Sequence, residues 1–201
     1  MKPISYDTYY WQNDLVRLRA WTPEDWEASY PSLFDTPARF LLDEEVELPP
    51  VMATWQEKNR NWGNFNPETG RLMFAIETLA GETVGGLNLN SINERHGTFG
   101  IGIQVHTGER GKGYGTAAMR IVLRYAFLER RLNKFNSGCV EGNSASAAMH
   151  KKLGCVEEGV RRQMYYHEGR YFDWWLFGLT KDEFVENERK LSAPSRSPNL
   201  P

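Results

Sequence analysis

The sequence has little cysteine and no long apolar run. Cys139 and Cys155 are the only cysteines in 201 residues, and both stand among apolar neighbours, which is typical of reduced core thiols and not of a disulfide framework. No segment approaches the ~20 continuous apolar residues that span a bilayer, and the first seven residues lack the apolar core of a signal peptide. These absences predict a cytoplasmic protein with no membrane partner.

The sequence also has no large excess of positive or negative charge. Lys and Arg number 24 against 26 Asp and Glu, which gives a net charge of −2 and argues against a nucleic acid partner. Arg120, Arg124 and Arg130 fall at helical spacing opposite an apolar face, a pattern typical of a solvated surface. The histidines and cysteines show no metal-ligand spacing, so we expect no metal.

The length and composition predict one main domain with two different ends. Residues 1–13 are rich in aromatic side chains, and we expect an N-terminal arm that packs on the domain or on a second subunit, which hints at a homodimer. Residues 14–190 would form the domain. Residues 191–201 contain three prolines and three serines and are expected to be a disordered tail.

Hydrophobic periodicity predicts a mixed chain in the order β, helices, βββ, α, β, α, ββ, α. The predicted strands are residues 15–20, 71–78, 83–91, 98–105, 134–140, 157–166 and 171–179. The predicted helices are residues 23–32, 37–43, 51–61, 114–130, 144–153 and 181–190, with a loop at 61–70. The three strands between residues 71 and 105 form an antiparallel meander, because short turns join them.

A glycine-rich loop follows the strand that ends at Gln104 and Val105. Glycines let successive N–H groups point at one spot, and the start of the following helix adds about half a positive charge. We therefore predict a phosphate or pyrophosphate site. Its residues are Arg110, Gly111, Lys112, Gly113, Tyr114, Gly115 and Thr116.

Two common nucleotide motifs do not fit this loop. A nucleotide P-loop needs Lys and Ser or Thr after its last glycine, whereas Tyr114 follows Gly113. A dinucleotide fold needs alternating βα units and an acidic residue ~20 positions on, whereas an antiparallel meander precedes this loop and basic residues follow it.

The loop and a second segment resemble the GNAT (general N-acetyltransferase) superfamily. Residues 110–115 match its acyl-CoA motif Arg/Gln-x-x-Gly-x-Gly/Ala. Residues 143–155 look like the family segment Asn-x-x-Ser-x-x-hydrophobic-x-x-Lys-Leu-Gly-Phe, with Cys155 in place of the aromatic residue. Ser146 and the stretches 16–19 and 169–173 are similar to the ribosomal-protein N-terminal acetyltransferase branch. The resemblance spans roughly residues 15–184.

The resemblance implies an α/β (α+β) fold, whose mostly antiparallel mixed sheet is splayed between its fourth and fifth strands and carries helices on both faces. It also implies direct transfer from acetyl-CoA to a primary amine, either a protein N-terminal α-amine or a small molecule. Pantetheine would run along the fourth strand at Gln104 and Val105, with the Val105 N–H as oxyanion donor. Asn143 would hold the pantetheine arm or serve only as an N-cap. The alternative is a catalytically silent acyl-CoA-binding protein of the same fold.

Two proton transfers need candidates. His150 stands where many family members carry the tyrosine that protonates the coenzyme thiolate, so it is the predicted acid, or else a core histidine. Glu141 ends the fifth strand and is the first candidate base, or else a solvated carboxylate. Glu77 and His106 are weaker candidates, and Asp173 is more typical of a turn-holding residue.

The amine acceptor is expected between the early helices and the hairpin that joins the last strands. The aromatic residues of these segments are Trp55, Trp62, Phe65, Tyr165, Tyr166, His167, Trp174 and Trp175. Aromatic rings can bind a cationic amine, but most of these residues fit a core role. The acidic run 43–47 could attract a basic acceptor or could be a solvated face.

Overall fold

The computed structural model describes residues 4–46, 48–49, 51–62 and 72–192. Its strands are β1 (Val16–Ala20), β2 (Leu72–Thr78), β3 (Thr83–Asn93), β4 (Thr98–Val105), β5 (Lys134–Val140), β6 (Val156–His167) and β7 (Arg170–Thr180). Its helices are α1 (Trp26–Ser29), α2 (Thr36–Asp43), α3 (Met52–Trp62), α4 (Tyr114–Arg124), α5 (Ser144–Leu153) and α6 (Lys181–Ser192). Short 3₁₀ turns cover Pro23–Asp25, Tyr30–Phe34 and Thr107–Glu109.

The strands form one sheet in the order β1-β2-β3-β4-β5-β7-β6. All neighbours are antiparallel except β4 and β5, which run parallel. These two strands pair only at Thr98–Lys134 and Phe99–Phe135 and separate beyond that point. The predicted meander and the predicted mixed sheet, splayed between its fourth and fifth strands, are both confirmed.

The core lies between one face of the sheet and α4. Leu87 and Leu89 of β3 and Phe99 of β4 are almost fully buried, as are Met119 and Leu123 of α4. Each such side chain contributes about 1.5–3 kcal/mol when it leaves water. This packing fixes the start of α4 beside the end of β4, where the glycine-rich loop connects them.

Two predicted helices are less regular than their apolar spacing suggests. Pro31 lacks the N–H that a continuous helix needs, and α1 changes into a 3₁₀ turn at Tyr30. The helix predicted over 114–130 ends as α4 at Arg124 and continues as a π-helical turn, in which the Arg130 N–H donates to the Tyr125 carbonyl. The π turn buries Ala126 and Phe127, which continue the buried side of α4, so the spacing of apolar residues does not show where α4 ends.

The described part of the N-terminal segment packs on its own chain. The Leu18 N–H donates to the Trp11 carbonyl over 2.7 Å, and the Trp11 ring lies 4.7 Å from that of Tyr125. The Asn13 side chain donates to the Ala117 carbonyl over 3.0 Å. The domain bounds stay predictions, since residues 1–3 and 193–201 lie outside the described residues, while Leu191 and Ser192 end α6.

Asn61 and Trp62 belong to α3, and the remainder of the predicted loop at 61–70 lies outside the described residues. Among the helices that are described, none combines the length and the apolar character needed to cross a bilayer.

Candidate acetyl-transfer site

The glycine-rich loop presents unpaired amides at the start of α4. Gly111 and Gly113 have φ values of +79° and +88°, a left-handed conformation that glycine adopts without strain. Gly113 is the N-cap and provides no side-chain cap. The first hydrogen bond within α4 runs from the Ala117 N–H to the Gly113 carbonyl over 3.0 Å. The N–H groups of residues 114–116 therefore have no partner within the helix. This geometry fits the predicted pyrophosphate site, which includes Thr116 in the first turn.

Asp35 anchors this loop from another element. The Arg110 guanidinium donates to the Val105 carbonyl and to Asp35, over 3.1 Å in each case, and the Thr107 hydroxyl donates to Asp35 over 2.9 Å. Burial would raise the pKa of Asp35, but these hydrogen bonds and that from the Ala38 N–H outweigh it and lower the pKa. The Arg110 side chain therefore holds the base of the loop.

Asp35 was not predicted as a site residue. The sequence Asp35-Thr36-Pro37 carries the signal of a helix N-cap, and Asp35 does cap α2. Asp35 and Arg110 lie 75 residues apart in the sequence, so no short stretch of the sequence indicates their contact. Lys112 extends from the other side of the loop and pairs with Glu109 over 2.9 Å at the surface.

The free edge of β4 faces the gap between β4 and β5. The His106 N–H donates to the Val84 carbonyl over 2.9 Å, and Val105 lies opposite Gly85. Because donors alternate along an antiparallel ladder, the Val105 N–H points away from β3 and into the gap. A Cβ on Gly85 would lie 2.3 Å from the Gln104 carbonyl oxygen, so only glycine permits this approach. The structure thus brings Gln104 and Val105 to the loop at 110–116.

Asn143 caps α5 as predicted, since its side-chain oxygen accepts from the Ser146 N–H over 3.0 Å. Its side-chain nitrogen donates to the Leu41 carbonyl over 3.4 Å. The amide therefore connects the start of α5 with the end of α2, across the mouth of the gap. Its role toward the pantetheine arm stays a prediction.

His150 is buried, with only 2% of its surface exposed. Its Nδ1 lies 2.8 Å from the Ser146 carbonyl, and its Nε2 lies 2.7 Å from the Ser137 hydroxyl. A carbonyl only accepts, so Nδ1 carries the proton and Nε2 accepts from Ser137. The ring stacks on Phe177 at 4.7 Å, and burial lowers the pKa of His150. This is the geometry of a neutral core imidazole, and the acid role stays a prediction.

Glu141 bridges the ends of β5 and β7. Its Oε2 accepts from the Asp173 N–H over 3.2 Å, and its own N–H donates to the Asp173 carbonyl over 2.9 Å. Its other oxygen lies 3.9 Å from Arg170, and the side chain is 42% exposed. Asp173 in turn accepts from the Gln163 N–H over 2.8 Å, at the irregular stretch of β6 between Arg161 and Tyr165 and not in a turn. The base role of Glu141 stays a prediction.

The weaker base candidates also have internal partners. Glu77 accepts from Arg17 and Arg19 over 2.8 Å in each pair. Arg19 also pairs with Asp25 over 2.6 Å. His106 follows Val105 directly, and burial lowers its pKa.

The early helices and the last hairpin meet beside the gap. The His167 ring of the β6–β7 hairpin stacks on Phe40 of α2 at 4.0 Å, and Tyr165 lies 5.3 Å from Trp174. Trp55 and Trp62 pack together within the helical layer, 5.3 Å apart. Phe65 lies outside the described residues. Throughout the described ranges, no group of three or more His, Cys, Asp or Glu side chains is placed to hold a metal ion.

Comparisons with known proteins agree with this geometry. The family model described as an acetyltransferase (GNAT) domain matches residues 16–156. The chain is similar to the "SPbeta prophage-derived uncharacterized N-acetyltransferase YokL" of Bacillus subtilis, with 30% identity over 89% of this chain and 97% of that protein. It is also similar to the "Putative ribosomal N-acetyltransferase YdaF" of the same organism, with 32% identity over 52% of this chain and 57% of that protein.

A solved structure of similar fold is spermidine N-acetyltransferase from Vibrio cholerae, in complex with CoA and spermine. It superposes with a TM-score of 0.74 and 20% identity, and covers 86% of this chain and 99% of that one. The splayed sheet, the glycine-rich loop and the sequence matches define an acetyl-CoA-dependent acyltransferase. More particularly, the chain belongs to the GNAT family and is an N-acetyltransferase.

Proposed function

We propose that the acceptor is the N-terminal α-amine of a protein or peptide. The observation behind this proposal is that the two carboxylates considered as bases are held by internal partners. Glu77 of β2 is bound by two arginines, and Glu141 accepts from the Asp173 backbone. Such a site suits an amine that is already partly neutral.

Amine basicity separates the acceptor classes. At pH 7.5 an α-amine with a pKa of about 7.8 is about one-third neutral, whereas an alkyl amine with a pKa of about 10.4 is about 0.1% neutral. A polyamine or a lysine side chain would therefore need a stronger base than an α-amine needs. The resemblance of Ser146 and of the stretches 16–19 and 169–173 to the ribosomal-protein branch supports the same choice, as does the partial similarity to YdaF.

On the donor side, we assign the pyrophosphate of acetyl-CoA to the amides of residues 110–116. These amides lie at an uncapped helix start, which favours an anion. The pantetheine arm would follow the free edge of β4 past Gln104 and Val105, with Asn143 at its side. The Val105 N–H, which points into the gap, would donate to the thioester carbonyl oxygen.

In the proposed reaction, the neutral amine nitrogen forms a bond to the thioester carbonyl carbon, and the C–S bond then breaks. The nitrogen loses one proton and the departing sulfur gains one, so the protons balance. Glu141 is the proposed base because part of its carboxylate is exposed. His150 is the proposed proton source in its protonated form, in which the Nε2–H donates to the oxygen of the half-buried Ser137 while the Ser137 hydroxyl gives its own proton to the sulfur. His150 then takes up a proton again, and Glu141 releases the proton of the nitrogen to water.

The acceptor class is tested by thiol release from acetyl-CoA with matched acceptors. One peptide carries a free α-amine and no lysine, and its control has a blocked N-terminus and one lysine. Spermidine and an aminoglycoside complete the panel. We expect turnover with the free N-terminus at least tenfold above the others. A preference for lysine or spermidine would contradict the proposal, and silence on all amines with CoA still bound would support the binding-only alternative.

We further propose that the protein acts in the cytoplasm. Both cysteines are free, Cys139 in the core and Cys155 half-buried, as expected in a reducing compartment. Cell fractionation followed by immunodetection tests this location, and recovery in a secreted fraction would contradict it.

A further inference from the structure

Two glycines border the gap between β4 and β5 on the face of the sheet away from α4. Phe99 and Phe135 form the last pair that joins these strands, and both side chains point into the core on the α4 side. Gly102 and Gly138 each follow that pair by three residues. Because side chains alternate along a strand, both glycines belong to the opposite face. They therefore lie at the same level on the two sides of the gap, where both are half-buried.

Side chains from the neighbouring strands fill the space above these glycines. A Cβ on Gly102 would lie 2.9 Å from the Asn88 Nδ2, and a Cβ on Gly138 would lie 2.5 Å from the Trp174 Nε1. Asn88 is the β3 partner of Gly102, and Trp174 belongs to β7, which pairs with β5. An amide and an indole therefore border the gap from opposite sides, near its closed end.

Both side chains have N–H groups that donate to no other residue among those described. The Asn88 side-chain oxygen accepts from the Asn90 side chain, which leaves the Asn88 Nδ2 with its two donors. The Trp174 ring lies 5.3 Å from the Tyr165 ring, and its Nε1–H has no oxygen partner within the same ranges. Both side chains are only half-buried, so a molecule in the gap can reach them. An amide nitrogen and an indole nitrogen only donate, so they fit carbonyl oxygens.

The spacing along β4 relates these donors to the acetyl group. Gly102 precedes Val105 by three residues, which corresponds to about 10 Å along a strand. The proposed coenzyme site begins at the start of α4, so the acceptor reaches the gap from the opposite face. An amine at the thioester beside Val105 is therefore separated from Asn88 by the length of about three extended residues.

We infer that Asn88 and Trp174 bind the backbone of the second and third residues of an acceptor peptide. This inference rests on the proposed α-amine acceptor and specifies how that acceptor is recognised. The Asn88 Nδ2 and the Trp174 Nε1 donate to peptide carbonyl oxygens. A polyamine has no carbonyl oxygen to accept these bonds, so the same two side chains favour a peptide over a polyamine.

The test measures how the KM for the acceptor depends on its length. The acceptors are amides of one to five alanine residues, each with a free α-amine. With the wild-type protein, the KM should fall up to three residues and then stay level, because the donors are then occupied. The kcat should change little, since contacts far from the reacting atoms bind substrate and transition state alike.

Asn88→Leu and Trp174→Phe each remove donors and keep a side chain of similar shape. Each should raise the KM for the three-residue amide about two- to tenfold, as expected for one lost hydrogen bond. The KM for the one-residue amide and the KM for acetyl-CoA should not change. Asn88→Asp provides a second variant at this position, because it keeps the oxygen that accepts from Asn90 and removes both donors.

Asn136→Leu is the matched control. Asn136 is exposed on the same face of β5, two residues nearer the closed end of the gap than Gly138, and its replacement should leave the whole KM series unchanged. Melting temperatures check that all variants fold.

An acceptor KM that does not depend on length would overturn the inference and leave the α-amine proposal intact. An unchanged KM in both Asn88 variants, or an equal rise in the control, would do the same. No turnover of any alanine amide by the wild type would overturn the proposed function and this inference together.

Discussion

At the scale of single residues, His150 shows how burial changes the chemistry that a position can perform. The ring lies between Ser137 and Ser146 and stacks on Phe177. Its pKa is lowered because the charged form loses water. A neutral imidazole here accepts a hydrogen bond from Ser137 at Nε2, so it can supply a proton through Ser137 only after it has taken one up.

His150→Phe should reduce the dependence of stability on pH. The pKa of His150 is lower in the folded protein than in the unfolded chain. Between these two pKa values the unfolded state binds more protons, so the free energy of unfolding rises with pH. That stability is complete above about pH 6.5 and is lost as the pH falls through the folded pKa. Urea unfolding at pH 7.5 and 5.5 should show a smaller decrease for the variant than for the wild type. His106, whose pKa is also lowered by burial, is present in both proteins and affects both equally. Equal decreases would therefore contradict the lowered pKa of His150.

The same variant tests the proton source. At pH 7.5 it should cost about 1–3 kcal/mol of stability, because it leaves Ser137 and the Ser146 carbonyl without the ring. If the rate of acetyl transfer and its pH profile were both unchanged, His150 would have no part in proton transfer. We expect a lower rate and an altered alkaline limb.

Asp35→Asn should weaken acetyl-CoA binding without unfolding the protein. Asparagine keeps the N-cap of α2 but removes the negative charge that holds Arg110. This pair is partly exposed, so its loss is worth about 0.5–1 kcal/mol, or about a two- to fivefold rise in the KM for acetyl-CoA. The KM and the melting temperature should be measured together. A lower melting temperature with an unchanged KM would assign Asp35 only to stability.

At the scale of elements, the sequence predicted the strands, the loop and the helix cap whose structure depends on residues close together in the chain. The sequence predicted β4 and β5 with the observed bounds, because apolar residues and turn residues mark both ends of each strand. It also predicted the loop at 110–116 and the Asn143 cap. It did not predict the π turn after Arg124, the contact of Asp35 with Arg110, or Ser137 beside His150. Those features depend on tertiary contacts between distant segments, which no short window contains.

Gly113→Glu should abolish CoA binding while the protein stays folded. The substitution places a carboxylate at the proposed anion site and a side chain where φ is +88°, at a strain of about 1–2 kcal/mol. Gly81→Glu is the matched control, since Gly81 has φ +94° and open space around it in the turn between β2 and β3. Calorimetry with CoA should show binding to the wild type and the control only. Binding to the Gly113 variant would remove the loop from the coenzyme site.

At the scale of the whole molecule, the N-terminal segment connects the sheet with α4. Trp11 contacts Phe74 of β2 at 5.0 Å and Tyr125 after α4 at 4.7 Å. The Arg124 side chain donates to the Tyr10 carbonyl and covers the Tyr10 ring. The segment therefore stabilises the chain that carries it.

Trp11→Ala should lower the free energy of unfolding by about 2–4 kcal/mol, because a large, partly buried ring is removed. Urea unfolding gives this value, and sedimentation gives the oligomeric state. We expect the oligomeric state of the folded protein to be unchanged. Dissociation of subunits with no loss of stability would instead place this segment in a subunit contact.

The proposed acceptor of this N-acetyltransferase is an N-terminal α-amine. The most direct measurement uses one peptide that carries both a free N-terminus and a lysine, incubated with enzyme and acetyl-CoA at pH 7.5. Tandem mass spectrometry then locates the acetyl group. We expect acetylation of the α-amine at least tenfold faster than of the lysine, and faster acetylation of the lysine would rule out an α-amine as the preferred acceptor.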